Sequence, residues 1–432
     1  MPGNMEKEYP DFSVAKLGDC CIPSPVTDVP FVRDDEHVLY HSHIERIREF
    51  LDAGKEPPHM ELAGPRAKIF FEPSKLRCGI VTCGGICPGI NDVIRSIVLS
   101  LRYHYGVERV FGFRFGYEGL VPKYGHEPFE LTPESVKGIH QTGGSILSSS
   151  RGSQDIAEMV DTLERMKIGV LFTIGGDGTL RGSHALAEEV KRRGLKISVI
   201  GIPKTIDNDI SYVQETFGFE TAVTETRTSL YSAHVEATGA RNGVGLVKLM
   251  GRQSGFIAAY ATLSNSEVNF CLVPEVPFTL AGFLRELKER LAKKGHALVV
   301  VAEGAGQELM EETHVCDASG NVRLGDVGVF LRDRIREYFK KMGTEMNLKY
   351  IDPSYTIRSM PATARDSAFC LLLGQYAVHA GMSARTDMIV SVWRGEFTHV
   401  PILAAVSRRK QVNPGGWLWC AVLSSTGQPA MM

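Results

Sequence analysis

The sequence predicts an α/β protein built on two sheets, each mainly parallel and covered by helices on both faces. Three observations carry this reading. From residue 78 onward, apolar runs of four to six residues alternate with amphipathic segments, and strand and helix in turn are the pattern of βαβ units. Glycine-rich turns follow several of these runs directly, which places them at the carboxyl ends of parallel strands. The chain has 432 residues, more than one hydrophobic core usually sustains, so two domains follow.

In chain order, residues 1–75 are rich in proline and charge and carry one helical stretch at about 43–51. They form an extension without identifiable chemistry. Strands are expected at 78–82, 109–113, 169–174, 197–202, 244–249, 270–273, 297–302 and 388–393. Each is a short, mainly apolar run, the mark of a strand buried on both faces. Helices are expected at 154–167, 180–193, 281–294 and 364–380, and another opens near Asp92. The helix ending near Ala237 and the strand from Val244 bracket the expected domain break. The chain has no short repeat and no low-complexity tract, which argues against a solenoid.

Composition narrows the function classes. Hydrophobic content of 43% and charged content of 23% are those of a globular protein. A net charge of -2 gives no electrostatic basis for nucleic acid or an anionic membrane as partner. An anionic substrate must therefore be met by local basic residues. The nine cysteines (Cys20, Cys21, Cys78, Cys83, Cys87, Cys271, Cys316, Cys370 and Cys420) are odd in number and show neither disulfide nor zinc spacing. A reducing compartment explains this most simply. The amino terminus is polar, and no stretch reaches the roughly 18 to 20 apolar residues of a membrane span. The expectation is a soluble, cytoplasmic protein.

Two motifs carry the chemistry. Gly-Gly-Asp-Gly-Thr at 175–179 follows one buried strand, and Pro-Lys-Thr-Ile-Asp-Asn-Asp at 203–209 follows the next. Asp177 stands where an unpaired carboxylate would be costly, and magnesium coordination would resolve that cost. A helix cap before Leu180 is the plainer alternative. Asp207 and Asp209, two apart in a turn beside Lys204 and Thr205, supply a proton acceptor, a second carboxylate and phosphate donors. Ordinary turn chemistry also uses Asp and Asn, but the two motifs together point to phosphoryl transfer. A third loop, Thr-Cys-Gly-Gly-Ile-Cys-Pro-Gly-Ile-Asn at 82–91, lets backbone amides approach a phosphate at a helix N-terminus. Tight packing alone would also explain its glycines, and Cys83 and Cys87 read as small buried apolar groups.

The order of GGICPGIN, GGDGT, PKTIDND, MGRQSG at 250–255, AEG at 302–304 and the Arg358 segment resembles the phosphofructokinases over about residues 76–405. KYIDPSYTIR at 349–358 and ELAGPRAKIF at 61–70 look like the plant and trypanosomatid branch, which uses ATP. The resemblance implies the phosphofructokinase fold, two Rossmann-like three-layer domains with mainly parallel sheets. It implies a nucleotide-phosphate-binding domain at 76–240, a sugar-phosphate-binding domain at 241–405 and a C-terminal segment at 406–432. The implied reaction transfers the terminal phosphoryl group of ATP to the 1-hydroxyl of fructose 6-phosphate, with Mg2+ as cofactor.

The same resemblance implies roles for single residues. Asp207 would accept the proton of the 1-hydroxyl, and Asp209 would orient it or help with the metal. Asp177 would hold magnesium on the phosphates. Gly84, Gly176, Gly178 and Thr179 would bring backbone close to the nucleotide, with Tyr117 on the same side. Arg151 would bridge the transferring phosphate and the nucleotide, where spreading negative charge needs a fixed cation. Thr205 would touch the transferred group. Met250, Gly251, Arg252 and Glu303 would bind the sugar, and Lys349, Tyr355 and Arg358 would surround its 6-phosphate. Family members complete that pocket with cations from a neighbouring subunit, Lys349 occupying one such position, so a homodimer or homotetramer is expected.

The chain also departs from the family pattern. Lys349 and Tyr355 replace the Arg and His of better-known members, and lysine keeps the charge without the bidentate geometry. Gly243 sits where many members have a phosphate-binding arginine, and Arg241 nearby is out of register. Two positions bear on the donor. Pyrophosphate users typically have Asp where this chain has Gly178, which favours ATP; Lys204 is the residue pyrophosphate users carry. The segment as a whole favours ATP. Alternatives are a pyrophosphate-dependent enzyme, a non-catalytic nucleotide-sensing relative, or a kinase for another sugar phosphate such as sedoheptulose 7-phosphate.

Overall fold

The computed structural model describes residues 9–310 and 322–432. Cys316 lies outside them, and the other eight cysteines are free thiols. The chain divides into two compact units. The first takes the residues up to Thr205 together with Ile210–Phe217 and Pro361–Arg408, and the second takes Ile206–Asp209, Gly218–Met360 and Arg409–Met432.

The first unit is built on a nine-stranded sheet. Its strands run, edge to edge, His37–Leu39, His59–Leu62, Glu396–Pro401, Met388–Trp393, Ser198–Pro203, Val170–Gly175, Arg77–Thr82, Arg109–Phe113 and Phe129–Glu130. The five from Met388–Trp393 to Arg109–Phe113 are mutually parallel, and antiparallel strands flank them on both sides. Val170–Gly175 and Ser198–Pro203 are buried at every residue, which is why their sequences do not alternate. Helices Ile156–Arg165 and Asp177–Arg192 cover one face through Leu163, Leu186 and Val190, packed on Val81, Phe113 and Leu171. On the other face, helix Ala364–Met382 lies so close to the sheet that a Cβ at Gly381 would come within 2.7 Å of Val170.

The second unit holds a four-stranded sheet, all parallel, in the order Phe270–Leu272, His296–Ala302, Gly243–Leu249, Asn347–Ile351. Helices Phe219–Thr238, Phe256–Ser264 and Trp417–Thr426 bury Leu230, Ile257 and Trp419 against one face. Helices Leu280–Lys294 and Val327–Lys341 bury Phe283, Leu287, Leu331 and Ile335 against the other. Each such side chain contributes about 1.5 to 3 kcal/mol when fully buried. Both units are thus three-layered, as expected.

The expected strands reappear within one residue at each end, and Arg109–Phe113 and Met388–Trp393 coincide with their expected bounds. The division of the chain differs from the contiguous one expected. Helix Phe219–Thr238 belongs to the second unit, because its apolar face covers that unit's sheet. The chain later returns to the first unit, where Met388–Trp393 extends the parallel sheet beside Ser198–Pro203. Residues 9–75 are not a detached extension: His59–Leu62 pairs with Glu396–Pro401 inside the same sheet. Tyr40 stacks on Trp393 with ring centroids 5.0 Å apart.

Candidate active site

In the first unit, three carboxyl-terminal strand ends carry one group of candidate residues. After Arg77–Thr82 the chain turns through Gly84 at φ +84°, a left-handed conformation suited to glycine. A side chain there would stand 3.2 Å from the Lys204 ammonium. Lys204 is 6% exposed, and its Nζ donates to the Gly85 carbonyl at 2.6 Å. A buried cation is thereby fixed under the first glycine turn. Residues 148–150 brace the same turn: Ser149 Oγ donates to the Gly84 carbonyl at 2.6 Å, and the Gly84 amide donates to the Ser150 carbonyl at 3.0 Å. Arg151 follows on this braced segment with an exposed side chain. Thr205 ends this group, its carbonyl accepting from Thr216 Oγ1 at 2.6 Å.

The second glycine motif is a helix start. The sequence placed the helix from Leu180, but it begins at Asp177, with Gly176 as its extended cap residue. Asp177, Gly178 and Thr179 therefore form the first turn, the end of a helix whose outward-pointing amides and dipole favour an anion. Gly175 has to be glycine, because a Cβ there would stand 2.2 Å from Thr179 Oγ1. Gly178 is the opposite case, since a Cβ would meet nothing within 4 Å. Asp177 receives Arg181 Nε at 3.1 Å, and Arg181 Nη2 also donates to the Val406 carbonyl at 2.6 Å. The sequence reading missed Arg181, although its spacing four residues after Asp177 is the helical ion-pair spacing.

Tyr117, expected on the nucleotide side, is packed in the core and 6% exposed. Its hydroxyl donates to the Thr179 carbonyl at 2.7 Å and lies 2.9 Å from Ser183 Oγ. Burial pushes its pKa well above the usual tyrosine value. The ring presses on the helix at Gly182, where a Cβ would come within 2.7 Å of it. This tyrosine therefore holds the helix start in place and presents little surface to a ligand. Cys83 is buried too, and burial pushes its thiol up to about 12, in line with its reading as a small apolar group.

The second unit gathers its own group of candidate residues at the carboxyl ends of Gly243–Leu249 and His296–Ala302, where Leu249 pairs with Ala302. Met250 is buried, and Gly251 takes φ +127°. The Gly251 carbonyl accepts from the Gly304 amide at 3.0 Å, and the Glu303 amide donates to the Leu249 carbonyl at 2.8 Å. The two turns fit so tightly that a Cβ at Gly304 would stand 2.0 Å from the Arg252 carbonyl oxygen. Half-buried Asp207 joins them: its Oδ2 accepts from the Arg252 amide at 3.4 Å, and its carbonyl accepts from Ser254 Oγ at 3.3 Å.

Burial, followed by the charges of Asp209 and Glu303, pushes the Asp207 carboxyl up to about 8, against the pull of the Arg252 amide and Arg409. Burial likewise raises Glu303, opposed by Lys248, Arg252 and Arg358. Asp209 is 4% exposed and takes a hydrogen bond from Arg409 Nη1. Arg409 lies outside every motif the sequence offered. Arg358 carries its guanidinium 4.9 Å from the ring centre of Tyr355, which is 78% exposed.

Lys349 stands apart from this group. It lies on edge strand Asn347–Ile351 opposite Gly245, four residues short of the level of Leu249. Its ammonium is 3.5 Å from Glu236 Oε2, and its side chain is half exposed. At about 3.3 Å per residue, the lysine sits some 13 Å below the turn that carries Arg252. Gly243 offers no place for the arginine of other members, since a Cβ would stand 2.0 Å from the Ala237 carbonyl oxygen. Arg241 is exposed, with its guanidinium 3.9 Å from Glu345.

A family model described as "Phosphofructokinase" matches residues 77–381. The chain is 47% identical to "ATP-dependent 6-phosphofructokinase" of Borreliella burgdorferi, covering 99% of each chain. It is 46% identical to the protein of that name from Trypanosoma cruzi, over 90% of this chain and 81% of the relative. "ATP-dependent 6-phosphofructokinase 7" of Arabidopsis thaliana is 43% identical over 95% of this chain and 86% of its own length. Among solved structures, pyrophosphate-dependent phosphofructokinase from Marinobacter aquaeolei superposes with a TM-score of 0.65 at 19% identity, covering 78% of this chain and 86% of that one. Pichia pastoris phosphofructokinase in the T-state gives 0.61 at 20% identity, covering 83% and 37%. The structural likenesses bear on the fold and the sequence matches on descent; together with the ordered turns described above, they establish that this chain belongs to the phosphofructokinase family.

Proposed function

We propose that this chain is an ATP-dependent 6-phosphofructokinase, converting fructose 6-phosphate and ATP to fructose 1,6-bisphosphate and ADP. Relatives bearing that name match nearly end to end. The observation that carries the chemistry is Asp207, a half-buried carboxylate anchored on the Arg252 amide, its basicity raised by burial and then by the acids Asp209 and Glu303. A general base works best with a pKa near the operating pH. In the reaction, the sugar O1 forms a bond to the terminal phosphorus as its proton passes to Asp207. The bond from that phosphorus to the bridging oxygen breaks, and ADP leaves with the electron pair.

The residues of the first unit suit the donor. Amides of Gly176, Gly178 and Thr179 face phosphate oxygens, the Gly84 turn lets the backbone lie close to them, Lys204 and Arg151 supply cations, and Thr205 touches the transferred group. Tyr117 serves this set by holding the helix start. Charge spreads over the transferred phosphoryl oxygens in the transition state, so fixed cations matter most there. Among the described residues no cluster of three or more His, Cys, Asp or Glu could hold a metal. That suits Mg2+, which takes one or two carboxylates together with substrate phosphates. Asp177 fits as its protein ligand, being a partly exposed carboxylate whose present partner, Arg181, is a largely exposed cation. When bound, Mg2+ neutralises phosphate charge.

On the acceptor side, Met250, Gly251 and Arg252 shape the sugar turn, Glu303 accepts hydrogens from sugar hydroxyls, and Arg358 with Tyr355 meets the 6-phosphate. Lys349, set apart on an edge strand, serves the pocket of a neighbouring copy in a homodimer or homotetramer. No helix among the described residues is long and apolar enough to cross a membrane, and we place the enzyme in the cytoplasm on its free cysteines.

The buried Lys204 favours pyrophosphate as a second reading of the donor. A coupled assay decides, with ATP or pyrophosphate crossed against fructose 6-phosphate and sedoheptulose 7-phosphate. ATP with fructose 6-phosphate is expected to give by far the fastest turnover. Comparable rates with pyrophosphate overturn the donor assignment, and no turnover despite nucleotide binding overturns the kinase reading.

A further inference from the structure

The turn at 207–209 is held by a segment that no motif announced. Lys410 donates its backbone amide to the Asp209 carbonyl at 2.9 Å and its ammonium to Asn208 Oδ1 at 2.9 Å. Asn208 sits at φ +55°, a left-handed conformation that asparagine adopts more readily than most residues. Gln411 Nε2 donates to the Gln253 carbonyl at 2.9 Å. The Val412 amide donates at 2.8 Å to Glu275, whose carboxylate also takes the Gly255 amide at 2.9 Å. Residues 409–412 therefore strap the acid turn to the sugar turn, and Asp207 hangs between the two through the Arg252 amide and Ser254 Oγ.

Arg409 is the charged member of the strap. Its partner Asp209 has a side chain 5% exposed, while the arginine side chain is 33% exposed. A buried carboxylate that loses its cation is strongly disfavoured, and here it would also stand two residues from the proton acceptor. The strap begins beyond residues 77–381, the stretch matched by the family model.

We propose that Arg409, acting through Asp209, is a positioning residue for the proton acceptor Asp207, and that the strap 409–412 is part of the working machinery. The inference rests on the reading of Asp207 as the base. A base displaced by about an ångström loses roughly a hundredfold in rate, while substrate affinity, set by other residues, is retained.

The test uses the full chain and four variants: Arg409→Met, Arg409→Lys, Asp209→Asn and the double variant Asp209→Asn with Arg409→Met. Turnover and KM are measured per folded molecule, with folding followed by thermal melts. Arg409→Met is expected to lower kcat about a hundredfold and leave both KM values within about threefold. Arg409→Lys, which keeps the charge, should recover to within about tenfold of wild type. The double variant, which leaves no buried charge unpaired, should be no worse than Arg409→Met, because the two residues act as a unit. A kcat for Arg409→Met within about threefold of wild type overturns the inference. So does a lysine variant as slow as the methionine one, or losses that multiply in the double variant. Wild-type turnover and Asp207→Asn are run beside them: an active Asp207→Asn refutes the base assignment itself, whereas an inactive one with an active Arg409→Met refutes only the strap.

Discussion

Restoring the family's arginine at position 243 is expected to damage this protein. The first strand residue of the second sheet, Gly243, pairs with His296 on one side and Asn347 on the other. A Cβ there would stand 2.0 Å from the Ala237 carbonyl oxygen and 2.7 Å from its carbon. The obstacle is backbone in the last turn of helix Phe219–Thr238, so it cannot swing aside as a side chain would. Relief requires the helix end to move or the strand to leave both neighbours. Overpacking of this kind costs about 1 to 3 kcal/mol, and an overlap with fixed backbone belongs at the upper end. At about 2 to 4 °C per kcal/mol for a domain of this size, Gly243→Ala should lower the melting temperature by roughly 6 to 12 °C. Gly243→Arg should lose at least as much and gain no affinity for fructose 6-phosphate. Thermal melts and the KM for fructose 6-phosphate check both. An alanine variant melting within about 1 °C of wild type, or an arginine variant with a lower KM, would refute the reasoning.

Four further outcomes follow. Gly178→Asp should fold normally, because its side chain enters open space, and should depress ATP use far more than any pyrophosphate use; equal depression would contradict the donor assignment. Asp207→Asn should cost about a hundredfold to ten-thousandfold in kcat, and an unchanged rate excludes it as base. Because the Asp207 carboxyl is raised in the folded state to about 8, the native protein holds a proton there that the unfolded chain has released. Its penalty on stability is absent below the ordinary aspartate range and grows as pH rises toward 8. Asp207→Asn should therefore melt higher than wild type at pH 8 and closer to it at pH 5, and wild-type kcat should climb over the same range; a melting difference that shrinks with pH contradicts the shift. Lys349→Ala should weaken fructose 6-phosphate binding with kcat little changed, and a fully active monomer on a sizing column would dispose of the neighbouring-copy role.

Strands and motif turns were legible in the sequence because both are local. Val170–Gly175 and Ser198–Pro203 are continuous apolar runs, and continuous burial leaves that trace wherever a parallel sheet is covered on both faces. The glycine at 175 and the acids at 207 and 209 are spaced along one chain segment, so their chemistry could be reasoned from order alone. What escaped is non-local. Arg409 meets Asp209 across 200 residues, and nothing near either one signals the pairing. The return of 361–408 to the first sheet is equally invisible, since a parallel strand's neighbour is fixed by topology and not by its own pattern. The burial of Tyr117 and its bond to Thr179 were hidden for a related reason: a tyrosine in a glycine-rich turn carries no local sign of the helix it packs against.

The empty space beside Gly178 bears on how such enzymes change over generations. Glycine and aspartate codons can differ by a single base, and here the exchange meets no steric barrier. A lineage carrying this scaffold meets no packing obstacle at this position to the residue that disfavours a nucleotide donor. Selection on cellular energy supply, rather than any folding constraint, would then decide which nucleotide or inorganic donor survives.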